Sequence, residues 1–220
     1  MSHKVHPKIY RVSKTEDWRS RWFATKNFSV LLEQDYKIRE FLSEKLKDAA
    51  VKDIIIERIP GKLIITIETA KPAFIIGKGG KGLTELKTEI EKLLKLNLKK
   101  KKERDYDVEI NVKEVIDFWK SAELVSQWMA KQIENRVPFK RVLKQAMAKI
   151  CENRDVEGVK LMVSGRLDGV EIARTEWIAK GKLPRTTIKS DIDFARNTAF
   201  CRYGTVGIKV WIYKGERENV

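Results

Sequence analysis

The chain has 220 residues, enough for one large domain or two small ones, each with its own core. It is 42% hydrophobic and 35% charged, and its 46 Lys+Arg against 31 Asp+Glu give a formal charge of +15. That excess repels itself unless a polyanion neutralises it, so nucleic acid or an anionic surface is the expected partner, while no apolar run approaches the roughly 20 residues a membrane span needs.

Residues 1–25 are basic with scattered aromatics (Tyr10, Trp18, Trp22, Phe23) and read as part of an extended arm, taken to residue 35, that orders only against a partner. The first residues lack the apolar core of a signal peptide, so no leader is expected. His3 and His6 have no further His or Cys to complete a metal set, and Cys151 and Cys201 stand alone without CxxC spacing. Neither a metal site nor a disulfide is expected, and the cysteines read as reduced residues of a cytoplasmic protein.

From Tyr36 to Ala50, Ile38, Phe41, Leu42, Leu46 and Ala49 follow helical spacing. VKDIIIERI, then Pro60-Gly61, then KLIITIET reads as a β-hairpin, with Leu63, Ile65 and Ile67 alternating with Ile64, Thr66 and Glu68. A glycine-rich loop follows the short apolar turn Ala73–Ile76 and leads into a helix with Leu83, Leu86, Ile90, Leu93 and Leu94 on one stripe. Lys99–Arg104 is a charged linker, and Val108, Ile110 and Val112 mark another strand. A second module begins near Val115. Phe118, Ala122, Val125, Met129 and Ile133 form one helical stripe, and Pro138 opens a second helix with Phe139, Val142, Leu143, Ala146, Met147 and Ile150 inside. Four strands are expected after it, at 156–165, 170–177, 186–196 and 205–213. Helices first and strands afterwards mean α+β, not a doubly wound parallel sheet.

The loop, AFIIGKGGKGLTELKTEI at 73–90, admits three readings. A P-loop needs a lysine and a hydroxyl directly after its second glycine, but Leu83 and Thr84 follow Gly82, so that reading fails. Gly77, Gly79 and Gly82 match the dinucleotide pattern G-x-G-x-x-G. That fold requires a strand running straight into the glycines, whereas here the preceding strand closes a hairpin and Pro72 interrupts the approach. The third reading is a G-x-x-G clamp made by Gly77, Lys78, Gly79, Gly80 and Lys81, where bare backbone and a helix N-terminus meet the phosphates of single-stranded RNA. With the order α-β-β-α-α-β expected over residues 36–114, this resembles a type II KH module. Residues 115–214 form the α+β module with two helices on a four-stranded sheet, and 215–220 are a tail.

In the second module Lys140, Arg141 and Lys144 fall within a sector of about 100° opposite the apolar stripe. They are read either as a solvated face or as a phosphate-tracking one. Arg166, Arg174, Lys180, Lys182 and Arg185 surround Gly165, Gly169 and Gly181 and suit docking of RNA through its phosphates. Asp191 and Asp193 share a strand face and would suit metal-dependent nuclease chemistry. Lys189 on that face and Arg196 close by make ion pairing the preferred reading, and no enzymatic activity is expected.

The stretches KVHP at 4–7, WRSRWFA at 18–24, FIIGKGG at 74–80, VSGRLDGVEIARTEW at 163–177 and YGTVGIKVWIYKGE at 203–216 resemble the bacterial small-subunit ribosomal protein three family over essentially the whole chain. The resemblance implies a cytoplasmic, structural RNA-binding protein in the head of the small ribosomal subunit. It would be bound to 16S rRNA beside small-subunit proteins ten and fourteen, with no cofactor, small-molecule substrate or membrane contact. It also implies a place on the mRNA entry channel and a part in unwinding the message, through a basic triplet that falls on Lys140, Arg141 and Lys144. Lys140 stands where the family commonly has Arg, keeping the charge without the bidentate fork. Lys4, in the arm, joins Arg166, Arg174, Lys180, Lys182 and Arg185 as an implied rRNA contact. The alternative is a free-standing KH regulator of RNA, which has no need of the second module's basic turns.

Overall fold

The computed structural model of the chain describes residues 5–12, 14, 16–25, 27–98 and 107–216; Lys4, the Lys99–Arg104 run and residues 217–220 lie outside them. It divides into two compact units. One is Trp18–Ile116, and the other joins the described residues before Trp18 to those from Asp117 onward.

The first unit runs β1 (Ser20–Arg21), α1 (Phe28–Lys45), β2 (Val51–Ile59), β3 (Lys62–Thr69), α2 (Pro72–Ile76), α3 (Lys81–Leu98) and β4 (Asp107–Glu114). This is the α-β-β-α-α-β order with a short strand in front. The sheet order is β1-β2-β3-β4, antiparallel between β2 and β3 and parallel at both flanking pairs. Pro60-Gly61 closes the hairpin, and Gly61 takes φ +84, the left-handed conformation a type II turn needs at its third position. Leu63, Ile65 and Ile67 are fully buried against Ile38 and Leu42 of α1, Leu86 and Ile90 of α3 and Val108 of β4. Each such side chain contributes about 1.5–3 kcal/mol of transfer free energy.

The expected arm does not exist as one piece, because residues from Trp18 onward belong to this unit. The Arg19 carbonyl accepts the Ile56 N–H, which seats β1 on β2. Trp22 donates its indole N–H to Asp35 Oδ2 at 2.7 Å, and Arg58 contacts the other oxygen of that carboxylate through Nη2 at 2.6 Å. Helix α1 accordingly starts at Phe28 rather than Tyr36. Its first turns turn Phe28, Leu32 and Tyr36 outward and bury the polar Gln34 and Asp35 instead, so apolar periodicity gives no sign of them.

The second unit holds α4 (Ala122–Glu134), α5 (Phe139–Cys151), β5 (Gly158–Gly165), β6 (Arg174–Gly181), β7 (Ser190–Cys201) and β8 (Gly204–Glu216). Its strands form an antiparallel sheet in the order β6-β5-β8-β7. Both helices pack on one face, where Val125, Met129, Phe139, Val142, Ala146 and Ile150 meet Val159, Leu161, Ile208 and Val210. Strands β6 and β7 begin later than the sequence pattern indicated. Asp168 (φ +55) and Gly169 (φ +82) hold a turn ahead of β6, and carbonyls ahead of β7 are engaged elsewhere.

What engages them is Arg11. Its side chain is fully buried and donates to Ser190 O at 2.7 Å, Thr187 O at 2.7 Å, Arg185 O at 3.1 Å and Pro7 O at 3.0 Å. Tyr10 donates to Thr186 O, His6 packs edge-on against Phe194, and Lys8 pairs with Asp193 at 2.8 Å. Residues 5–11 are therefore part of the folded unit and not an arm awaiting a partner.

Candidate nucleic-acid interface

The glycine turn is built by two helices that meet almost end to end. The chain leaves α2 at Gly77 (φ +69), makes one tight turn over Lys78–Gly80 with Gly79 at φ +62 and Gly80 at φ +77, and enters α3 at Lys81. Gly82 permits the close approach: a Cβ there would stand 2.5 Å from Ile75 O and 3.1 Å from Ile76 O. Gly77, Lys78, Gly79 and Lys81 are exposed and Gly80 is half-buried. The first turn of α3 carries no acidic residue, so its N-terminal amides, the positive end of the helix dipole and two lysines present one uninterrupted positive surface. Among the described residues no carboxylate pairs with Lys78 or Lys81.

Beside the turn, α3 and the free edge of β4 frame a groove of about 380 Å³ lined by Leu83, Thr84, Lys87, Asp107, Val108, Glu109 and Ile110. Leu83, Val108 and Ile110 give it an apolar lining. Lys87 reaches Asp107 at 3.0 Å, and the hydrogen bond holds the Lys87 ammonium above and the Asp107 carboxyl below its ordinary pKa. Asp107 and Glu109 disfavour phosphate on that wall, so a strand here would set its backbone on the glycine side and its bases in the groove. This charged wall was not found from the sequence. The alternation of Asp107 and Glu109 with Val108 and Ile110 was its only signal.

On α5, Lys140, Arg141 and Lys144 are all exposed while Phe139, Val142, Leu143, Ala146 and Met147 are buried. Among the described residues none of the three cations has a carboxylate partner. The other predicted set is dispersed. Arg166 donates to Val170 O at 3.0 Å and to Tyr203 O at 3.4 Å, which pins the turn before β6. Arg174 lies 3.9 Å from Glu176 with its guanidinium over the Phe139 ring. Lys180 is exposed near the end of β6, and Lys182 shares a recess of about 630 Å³ with Glu157 and Glu216. Arg185 is exposed, and its carbonyl accepts from Arg11. Lys4 lies outside the described residues.

The acidic pair is structural. Asp191 and Asp193 are buried, and Asp193 accepts the Ala122 N–H at 2.8 Å at the start of α4 while pairing with Lys8 and lying 3.7 Å from Lys214. Burial alone would raise its pKa, but those cations and the amide outweigh burial and hold the carboxyl below the ordinary range. The partners of Asp193 are thus Lys8 and Lys214 rather than Lys189 and Arg196.

The family model for ribosomal protein S3, C-terminal domain, matches residues 129–212, and the KH domain model matches 37–120. The small ribosomal subunit protein uS3 of Coprothermobacter proteolyticus is 42% identical across 100% of this chain and 91% of its own length. That of Synechocystis is 41% identical over 98% of this chain and 87% of its own, and uS3c of Guillardia theta is 40% identical over 99% and 97%.

Proposed function

The chain belongs to the ribosomal protein S3 family, a structural and non-enzymatic one, and from that premise we propose that it is an RNA-binding component of the small ribosomal subunit in the cytoplasm. The helix-and-sheet unit holds 16S rRNA beside small-subunit proteins ten and fourteen. The KH unit and the α5 triplet face incoming mRNA at the entry channel. The observation that supports the message-facing role is the cation set Lys78, Lys81, Lys140, Arg141 and Lys144, exposed and without carboxylate partners among the described residues. Such groups hold separated strands by their phosphates while ribosomal translocation supplies the motion, so the contribution to unwinding is passive.

Sedimentation of the tagged chain from lysate, at moderate salt with magnesium, tests assignment to the ribosome. Stoichiometric comigration with small subunits and whole ribosomes is expected. A slow-sedimenting, ribosome-free protein would return the reading to a free KH regulator. Replacing Lys140, Arg141 and Lys144 by Ala is expected to slow translation of structured messages selectively, and equal slowing on unstructured messages would remove the unwinding role.

A further inference from the structure

The sheet of the second unit has a second face that the helices leave uncovered. Half of it is closed: Ile192, Phe194, Trp211 and Tyr213 are buried there, with His6 against Phe194 and Leu183 packed at the margin. The other half is open. Met162, half-buried against the closed cluster, stands opposite both Trp177 and Lys209, and Lys209 opposite Arg196, so these residues form one row across all four strands. That row spans about 14 Å, three strand spacings, and Phe200 lies roughly 13 Å further along β7 on the same face. Trp177 is 58% exposed and Phe200 74%. The positions around them are small: Ser164, Thr175, Thr198 and Gly207.

Three properties of this half-face act together. Its strand positions, read by register on β5 to β8, include no Asp or Glu. It carries Lys160, Arg196 and Lys209, and among the described residues no carboxylate pairs with Arg196 or Lys209. Lys160 sits 4.5 Å over the Trp177 ring, which fixes the indole in place with one π-face engaged. A carboxylate contact lies at the β7 edge, where the Phe200 N–H donates to Glu134 Oε1 at 2.9 Å. Exposed aromatic rings with cations on the same sheet face form a stacking platform, the arrangement single strands use whatever their sequence. A protein partner is the poorer fit, because lysine is depleted in protein interfaces.

We propose that this open half-face docks an unpaired stretch of RNA, with bases on Trp177 and Phe200 and phosphates held by Lys160, Arg196 and Lys209. That the RNA is ribosomal rests on the function proposed above; the docking chemistry does not. None of these five residues belongs to the basic set read from the sequence.

The test uses the full chain with Lys78→Asp and Gly79→Asp in place to silence the glycine turn. A labelled 12-nucleotide single-stranded RNA of adenines and uridines is titrated by fluorescence anisotropy at several salt concentrations. Trp177→Ala with Phe200→Ala is expected to weaken binding about fivefold or more without changing the salt dependence, and Trp177→Phe to restore most of the Trp177 share. Arg196→Ala with Lys209→Ala is expected to lower the slope of log K against log salt by about 1.4. Aromatic variants that keep the parent's circular dichroism and bind within twofold of it would overturn the proposal, and so would loss of ribosome incorporation with unchanged RNA affinity, since a protein would then cover the face.

Cross-linking needs no variant. Photoactivated 4-thiouridine RNA is expected to label peptides bearing Trp177 or Phe200 in the unmodified chain, and adducts confined to the glycine turn and α5 would overturn the idea. Failure to sediment with small subunits would defeat the ribosomal assignment alone and leave these outcomes unchanged.

Discussion

The segment around Arg11 and the glycine turn around Lys78 are both basic in sequence, yet they use charge in opposite directions. Arg11 turns inward and gathers backbone carbonyls from Pro7 and from residues 185–190, so its charge is wholly engaged within the fold. Lys78 and Lys81 sit on exposed backbone next to helix amides that carry the same sign. The net charge of +15 therefore does not measure how much charge is offered to a partner. A cation counts toward binding only after the carbonyls and carboxylates of its own fold have been considered. On that scale Arg166 and Arg174 are partly engaged, whereas the α5 triplet is open.

Arg11 should carry the most stability of the cations considered. Arg11→Ala strips several buried carbonyls of their donor and should destabilise the second unit by about 3–5 kcal/mol. Arg11→Lys should recover only part, because an ammonium cannot address carbonyls in a planar fork. Urea unfolding read by hydrogen exchange in β7 and β8 checks both. A loss no larger than that of Lys78→Ala would dissolve the contrast.

The next effect concerns the scaffold of the outward side. Gly82→Ala would place a methyl 2.5 Å from Ile75 O, forcing α2 and α3 apart at a cost of about 1–3 kcal/mol to the first unit. RNA binding at the turn should weaken with it. Gly79→Ala meets no atom within 4 Å and carries only the left-handed strain of φ +62, about 1 kcal/mol. Equal losses from the two changes would mean that backbone strain, and not the close approach of the helices, dominates at this turn.

A smaller effect follows from Asp193. Its carboxyl is held below the ordinary pKa, so its contribution is present above the unfolded Asp range near 4 and is lost as pH falls through that range and the lower folded value. Glu16 in the same unit has the opposite sign: burial raises its pKa, so its contribution is lost as pH rises through the folded value. Asp193→Asn keeps an acceptor for the Ala122 N–H but removes the charge that Lys8 and Lys214 face. It should cost about 1–2 kcal/mol at neutral pH and flatten the acid limb of the stability curve. An unchanged acid limb would show that Lys8 and Lys214 do not couple to it.

Much of this was legible in the sequence because it rests on period. Leu63, Ile65 and Ile67 at period two, and Phe139 to Ile150 at helical spacing, located the hairpin and α5 and put the α5 triplet outside. The glycine turn was legible through residue type. What escaped depends on single polar side chains that meet partners far along the chain: Arg11 with residues 185–190, Trp22 with Asp35, and Asp193 with Lys8. The open half-face escaped for a related reason. Its members become neighbours only through the register of four strands, and the bulge between Ser190 and Ile192 resets the alternation ahead of Phe194. The late starts of β6 and β7 come from a turn and from carbonyl bonds, neither of which leaves a periodic trace.

Lys78 should separate charge from stability most cleanly. Lys78→Ala removes an exposed cation that no carboxylate among the described residues pairs with, so stability should stay within about 0.5 kcal/mol of the parent. Affinity for single-stranded RNA should nevertheless fall, with the salt slope reduced by about 0.7, the value for one phosphate of a single strand no longer neutralised. Anisotropy titrations across salt, beside urea unfolding of the same preparation, separate the two readouts. A stability loss with an unchanged slope would make Lys78 an inward cation like Arg11. A slope change at constant stability means that its charge is free to meet a phosphate.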